Sequence, residues 1–212
     1  KERGTRAQTV NAYVKVVRCA LAWAREMEYI RKNPLSQWEH LKHDAPRKRR
    51  DLTQDEIKQF FLAETDNDFS LLWLIYFRTG LRASAGLKFA WEWMDWKNQG
   101  MTLPAKDNKS RVDFWLPLDD DVFAALKQRY DNLGAERAVG RVFKKMTICT
   151  LRRRFRKICT AAGIDLDGLC LHSIRHTYAT VCFESSGHNV KVVQELMCHA
   201  NGATTLQYIH VS

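Results

Sequence analysis

Apolar side chains first recur at a helical interval: Val10, Val14, Val17 and Leu21 are separated by four, three and four residues, the one-face pattern of a helix predicted over 8–29. Asn33-Pro34 should stop it, because a residue before proline is pushed away from helical dihedrals. A shorter helix through Trp38 and Leu41 is expected next. Residues 44–50 (Asp-Ala-Pro-Arg-Lys-Arg-Arg) carry nothing apolar larger than Ala or Pro and read as a linker. The pattern restarts at Thr53, which forms a capping box with Glu56 ahead of Ile57, Phe60 and Phe61. A nearly all-apolar helical segment from Leu71 to Phe77 follows, broken by Thr79-Gly80 just before Leu81-Arg82. Between Trp91 and Leu118 the pattern changes to short Trp-, Phe- and Val-rich runs split at 97–100 and 105–111, which predicts a small three-stranded antiparallel sheet. From Asp119 the helical period returns, with Val122, Leu126 and Tyr130 on one face and Leu151, Phe155, Ile158 and Ala162 on another. The expected fold is mainly α with that one small sheet.

Composition adds a partner to this picture. The 212 residues, 45% hydrophobic, suffice for one large domain, or one domain with a small attachment. Lys and Arg number 34 against 24 Asp and Glu, a formal charge of +10, more than solubility needs and suited to a polyanion. Two runs concentrate it: Arg47, Lys48, Arg49 and Arg50 in the linker, and Arg152, Arg153, Arg154, Arg156 and Lys157 around the Leu151 helix. Either could be a solvated face, but a cationic strap and a cationic helix flank are well suited to phosphates. The six cysteines are scattered without a CxxC pair and read as reduced core thiols. No run of about 18 apolar residues and no signal-like start is present, so the cytoplasm or nucleoid is the expected compartment.

The densest polar cluster is His172-Ser173-Ile174-Arg175-His176, set among Leu169, Leu171, Tyr178 and Val181. Two histidines at i and i+4 suggest zinc, but the HExxH glutamate and a suitably spaced third ligand are missing, so no metal and no cofactor are expected. Alone, the cluster reads equally as a helix start with hydrogen-bonded polar groups. It stands, however, with Thr79-Gly80-Leu81-Arg82, with Lys106 in a turn between two strands, and with Cys198-His199 followed nine residues later by Tyr208.

In this order and spacing the motifs resemble the tyrosine recombinase (phage integrase) family: an arginine after Thr-Gly-Leu, a hairpin lysine, an HxxRH box, a second histidine and a tyrosine near the C-terminus. The resemblance spans about residues 50–210. It implies a tyrosine recombinase catalytic domain over 51–212, a basic linker over 44–50, and in 1–43 the last part of a helical core-binding (SAM-like) domain. It implies that Tyr208 attacks a DNA phosphodiester to give a 3′-phosphotyrosine and a 5′-hydroxyl, without ATP or metal. Arg82 and Arg175 would hold the nonbridging oxygens of the transition state, for which guanidinium forks are shaped. Lys106, with Lys109 as the competing choice, would protonate the leaving oxygen. His172 and His199 would bind the scissile phosphate, and His172 would accept the tyrosine proton; His176 would only pack and hydrogen-bond.

Lys109, Arg111, Arg152, Arg153 and Arg156, with linker residues Arg47 to Arg50, are the expected DNA-binding set. The partners implied are double-stranded DNA, further protomers as a tetramer on DNA with a monomer when free, and accessory DNA-bending proteins. Integration or excision of a phage or other mobile element would be the outcome. Type IB topoisomerase-like relaxation and a non-catalytic DNA-binding module are the alternatives. Two departures from the family pattern stand out. Ala85 occupies a position that is commonly acidic, leaving Glu92 or Asp95 as substitutes. Cys198 occupies a position that is commonly glycine, harmless at negative φ and strained at positive φ.

Overall fold

The computed structural model describes residues 7–42 and 49–198, and the chain separates into two compact units, Lys1–Lys48 and Arg49–Ser212. Among the described residues no helix is long and apolar enough to cross a membrane.

The first unit is built on α1 (Ala7–Glu26). This helix ends before the expected Tyr29, and not because of Asn33-Pro34. Glu28 turns left-handed at φ 59, and the Tyr29 N–H donates to Ala24 O at 2.9 Å, closing the helix end locally. The second expected helix, through Trp38 and Leu41, does not form. Residues 34–37 make a turn, and the Asn11 side chain both donates to Leu41 O and accepts from Leu41 N at 2.9 Å, holding that stretch non-helical. Asn11 is buried on α1 while Val17 is exposed, so the inward face is rotated from the one the apolar spacing suggested.

The second unit begins with α2 (Gln54–Ala63), whose capping box is present as expected: Thr53 Oγ1 accepts from Glu56 N, and Glu56 accepts from Thr53 N. Then come α3 (Asn67–Thr79) and the short α4 (Ala83–Gly86). A single 3₁₀ turn at Trp91–Trp93 leads into β1 (Met94–Asp95), β2 (Gly100–Leu103) and β3 (Phe114–Pro117). These pair antiparallel in the order β1-β2-β3, with Met94 opposite Met101, and Leu103 opposite Phe114. Four helices follow among the described residues: α5 (Asp120–Leu133), α6 (Ile148–Ala161), α7 (Ser173–Ser185) and α8 (Val190–Leu196).

Helix α3 is the centre of this unit and packs against α5 and α7. Its Leu72, Trp73 and Ile75 are fully buried with Phe60 of α2 and Leu151 and Phe155 of α6. Phe60 meets Trp73 edge-on with ring centroids 5.5 Å apart. One charge is buried here. Glu64, just after α2, accepts from Trp73 Nε1 at 2.9 Å and from the guanidinium of Arg154. Arg154 therefore faces inward from α6 and also lies over the Phe69 ring, a correction to its place in the expected cationic flank. A smaller apolar cluster of Ala179, Val193 and Met197 fixes α8 on α7. Cysteines 19, 149 and 170 are exposed, so only part of the set behaves as core thiols; Cys159 is fully buried, which pushes its thiol up to about 11.

Candidate active site

Three segments of the second unit converge: the loop after α3, the first turn of α7, and the residues after α8. Gly80 makes the first possible. It caps α3 at φ 59, and a Cβ there would sit 2.2 Å from Tyr178 Cδ1, so the chain can pass only as glycine. Thr79 reinforces the break: its hydroxyl bonds back to Ile75 O at 2.5 Å and accepts from Leu81 N at 3.3 Å. Arg82 then stands at the start of α4 in extended conformation; its carbonyl accepts from Ala85 N and Gly86 N, while its guanidinium has no hydrogen-bond or ion-pair partner among the described residues.

Arg175 is 5% exposed and braces all three segments. Its Nη1 donates to Gly80 O, and its Nη2 donates to Met197 O at 2.6 Å. With Leu81 it forms the wall shared by two clefts. One, of about 280 Å³, is lined by Arg82, Lys106, Asn108, Lys109, Met197 and Cys198 on Arg175's side. The other, of about 300 Å³, is lined by His172, Arg152, Cys170 and Tyr76. The structure thus gathers Arg82, Lys106, Lys109 and Arg175 in one cleft and puts His172 and Arg152 behind the shared wall. His199, Tyr208, Arg47 and Lys48 lie outside the described residues.

His172 precedes α7 and meets His176 edge-on, with ring centroids 5.2 Å apart. Burial, helped by His176 and by the nearby guanidiniums of Arg175, Arg49 and Arg82, holds its pKa down at about 4. The ring is neutral at physiological pH and can accept a hydrogen bond, and the lowered pKa makes it a weaker base than a free imidazole. His176 is buried, with Arg49 Nη1 3.4 Å from its Nε2.

The remaining expected contacts divide. Lys109, Arg111, Arg153 and Arg156 are exposed, with Arg111 in a left-handed turn at φ 56. Arg50 is half-buried: it forms a two-pronged bond to Glu56 at 2.8 Å and donates to Asp165 O at 2.6 Å, a structural tie. Ala85 lines the first cleft with a methyl group and brings no carboxylate to it. Of the substitutes, Asp95 is engaged with Asn98 at 2.8 Å. Glu92 shares a third, open cleft with Lys106, and its carboxyl is held low first by the Gly140 N–H and, more weakly, by the Lys106 charge.

At Cys198 the sequence left two backbone outcomes open and gave no sign of the side-chain contacts. Cys198 adopts φ 48, the strained alternative. Its Sγ lies 3.2 Å from Asn108 Nδ2 and 3.3 Å from Ser110 Oγ, which ties the lysine hairpin to the segment after α8. A thiol facing an amide across 90 residues has no periodic signature, so only the fold reveals it.

A helical unit with a three-stranded hairpin sheet, a lysine on the β2–β3 turn, and two arginines facing it across one cleft defines the catalytic fold of DNA breaking-and-rejoining enzymes. The chain belongs to the phage integrase family, whose model matches residues 50–212. It is 31% identical over 186 residues to a tyrosine recombinase XerC of Pseudomonas aeruginosa, covering 79% of this chain and 57% of the relative. A tyrosine recombinase of Thermosipho africanus is 30% identical over 221 residues, covering 98% of this chain and 73% of the relative. The chain thus spans little more than half the length of the Pseudomonas aeruginosa XerC relatives it matches. In fold it is similar to the Tn1549 transposon integrase solved with circular intermediate DNA (TM-score 0.76, 21% identity, all of this chain and 78% of that one). It is likewise similar to a lambda integrase dimer bound to a COC′ core site (TM-score 0.74, 20% identity, 95% and 59%).

Proposed function

We propose that this chain is the strand-cutting part of a site-specific DNA recombinase acting in the cytoplasm on nucleoid DNA, working as several protomers on double-stranded DNA to integrate or excise a mobile element. The observation that carries this reading is the single cleft shared by Arg82, Arg175 and Lys106. Two guanidiniums and an ammonium facing one space suit a phosphodiester whose transition state gains negative charge.

In this reading the Tyr208 oxygen attacks the scissile phosphorus and forms the P–O bond. The P–O5′ bond breaks, Lys106 gives its proton to the departing oxygen, and the tyrosine proton passes to neutral His172. Arg82 and Arg175 hold the nonbridging oxygens, with His199 beside them. Arg175 has its Nη1 and Nη2 each bonded to a carbonyl, Gly80 O and Met197 O, so its fork is oriented in advance. Residues 1–43 would be the end of a core-binding domain and 51–212 the catalytic domain. Arg47, Lys48, Arg49, Lys109, Arg111, Arg152, Arg153 and Arg156 would lie along the DNA backbone. Strand exchange is preferred to simple relaxation because the relatives are recombinases and integrases.

The test is covalent capture. The chain is mixed with a pool of nicked duplexes of randomised sequence, and DNA-linked protein is recovered from a denaturing gel. Wild type should give an adduct and Tyr208→Phe none, with DNA binding unchanged. An adduct of normal yield in Tyr208→Phe would move the nucleophile elsewhere, and no adduct from wild type would remove the cutting activity from this chain.

A further inference from the structure

We propose that Cys198 and Asn108 form a latch that positions the hairpin lysine, a role that rests on the reading of Lys106 as the leaving-group acid. Asn108 lies in the turn between β2 and β3, two residues after Lys106, and is 5% exposed. Its backbone N–H donates to Pro104 O at 3.0 Å and its amide donates to Val112 O at 2.8 Å, so it organises the turn from inside. The same amide reaches Cys198 Sγ at 3.2 Å, and Ser110 Oγ meets that sulfur at 3.3 Å. On the other side, the carbonyl just before Cys198 is held by Arg175. The residue preceding His199 is therefore gripped by the turn that carries Lys106 and by the arginine that faces it.

The backbone supplies a second reason. Cys198 sits at φ 48, where glycine costs nothing and a β-carbon is disfavoured. A side chain kept in that conformation is explained by what it touches. Among the described residues its polar contacts are to the Lys106 turn, and removing the side chain would relieve the backbone while freeing the turn. The latch thus trades local strain for a fixed distance between the ammonium of Lys106 and the arginine pair, and it makes Cys198 and Asn108 positioning residues that act through Lys106.

The test uses Cys198→Gly, Asn108→Ala and Cys198→Ser on a duplex captured by the wild-type chain, made with either oxygen or sulfur at the bridging 5′ position. Sulfur leaves as a thiolate and needs no proton. On the oxygen substrate, Cys198→Gly and Asn108→Ala should cleave about 10- to 100-fold slower, the scale of a misplaced acid. On the sulfur substrate they should come within a few-fold of wild type. Cys198→Ser, whose hydroxyl can replace both contacts, should stay near wild type on oxygen. Amide exchange over 104–113 should quicken in the first two variants with the rest of the unit unchanged. An unimpaired oxygen reaction, or an equal defect on both substrates while Lys106→Ala is rescued by sulfur, overturns the latch. If sulfur fails to rescue Lys106→Ala itself, the acid assignment falls separately, and unchanged exchange over 104–113 then decides against the latch.

Discussion

Gly80 shows how much one residue can constrain. A methyl group there would meet Tyr178 Cδ1 at 2.2 Å in a conformation that L residues rarely adopt, so Gly80→Ala should destabilise the unit by about 2–4 kcal/mol and displace Arg82. A urea midpoint shift, with cleavage lost even where the protein remains folded, is the expected result. The arginines separate by environment. Arg175 is buried between two carbonyls, whereas Arg153 is exposed. Arg175→Ala should therefore lower cleavage by about two to three powers of ten. Arg153→Ala should mainly weaken binding, reducing the slope of log affinity against log salt by about 0.9. Similar behaviour of the two would remove Arg175 from the site.

Between elements, the ionic tie of α2 to α6 is the counterpart of these single residues. Burial alone would raise the Glu64 carboxyl, but Arg154, the Asp66 N–H and Trp73 outweigh it and hold it below the usual range. Removing that carboxylate leaves Arg154 half-buried beside an indole N–H without its acceptor, so Glu64→Ala should cost about 3–5 kcal/mol. His172 sets the pH dependence of the α7 start. Its folded pKa, about 4, lies below the ordinary 6.5, so between those values the unfolded chain binds a proton that the native state refuses. Stability should then fall as pH drops from 6.5 towards 4, by less than about 1.4 kcal/mol per pH unit since the ring is only partly buried. Glu64 stabilises above its unfolded pKa, and that contribution is lost at still lower pH. Chemical unfolding from pH 7 to 4 should show the decline, and His172→Asn should flatten its upper part.

Across the whole molecule, the charge of +10 is not spread evenly in its use. Arg50, Arg154, Arg129 and Arg78 are paired with carboxylates, while Arg152, Arg153 and Arg156 remain exposed along α6. Replacing those three by Ala should reduce the salt slope of DNA binding by about 2–3, and a smaller change would place the DNA on another face. The sequence by itself determined the element types of the second unit, because capping at Thr53, the break at Gly80 and the change from helical to alternating period are local signals. It also supplied the ordered motif set that contains Arg82, Lys106, His172 and Arg175. It misjudged 34–42, where the Asn11 side chain holds the backbone non-helical, since a side-chain bond across 30 residues leaves no trace in apolar spacing. Only tertiary structure decided which cations face inward, that Cys198 is strained and bonded to the lysine turn, and that His172 stays neutral. Each of those depends on burial and on partners far away along the chain, and neither is encoded in the pattern around a single residue.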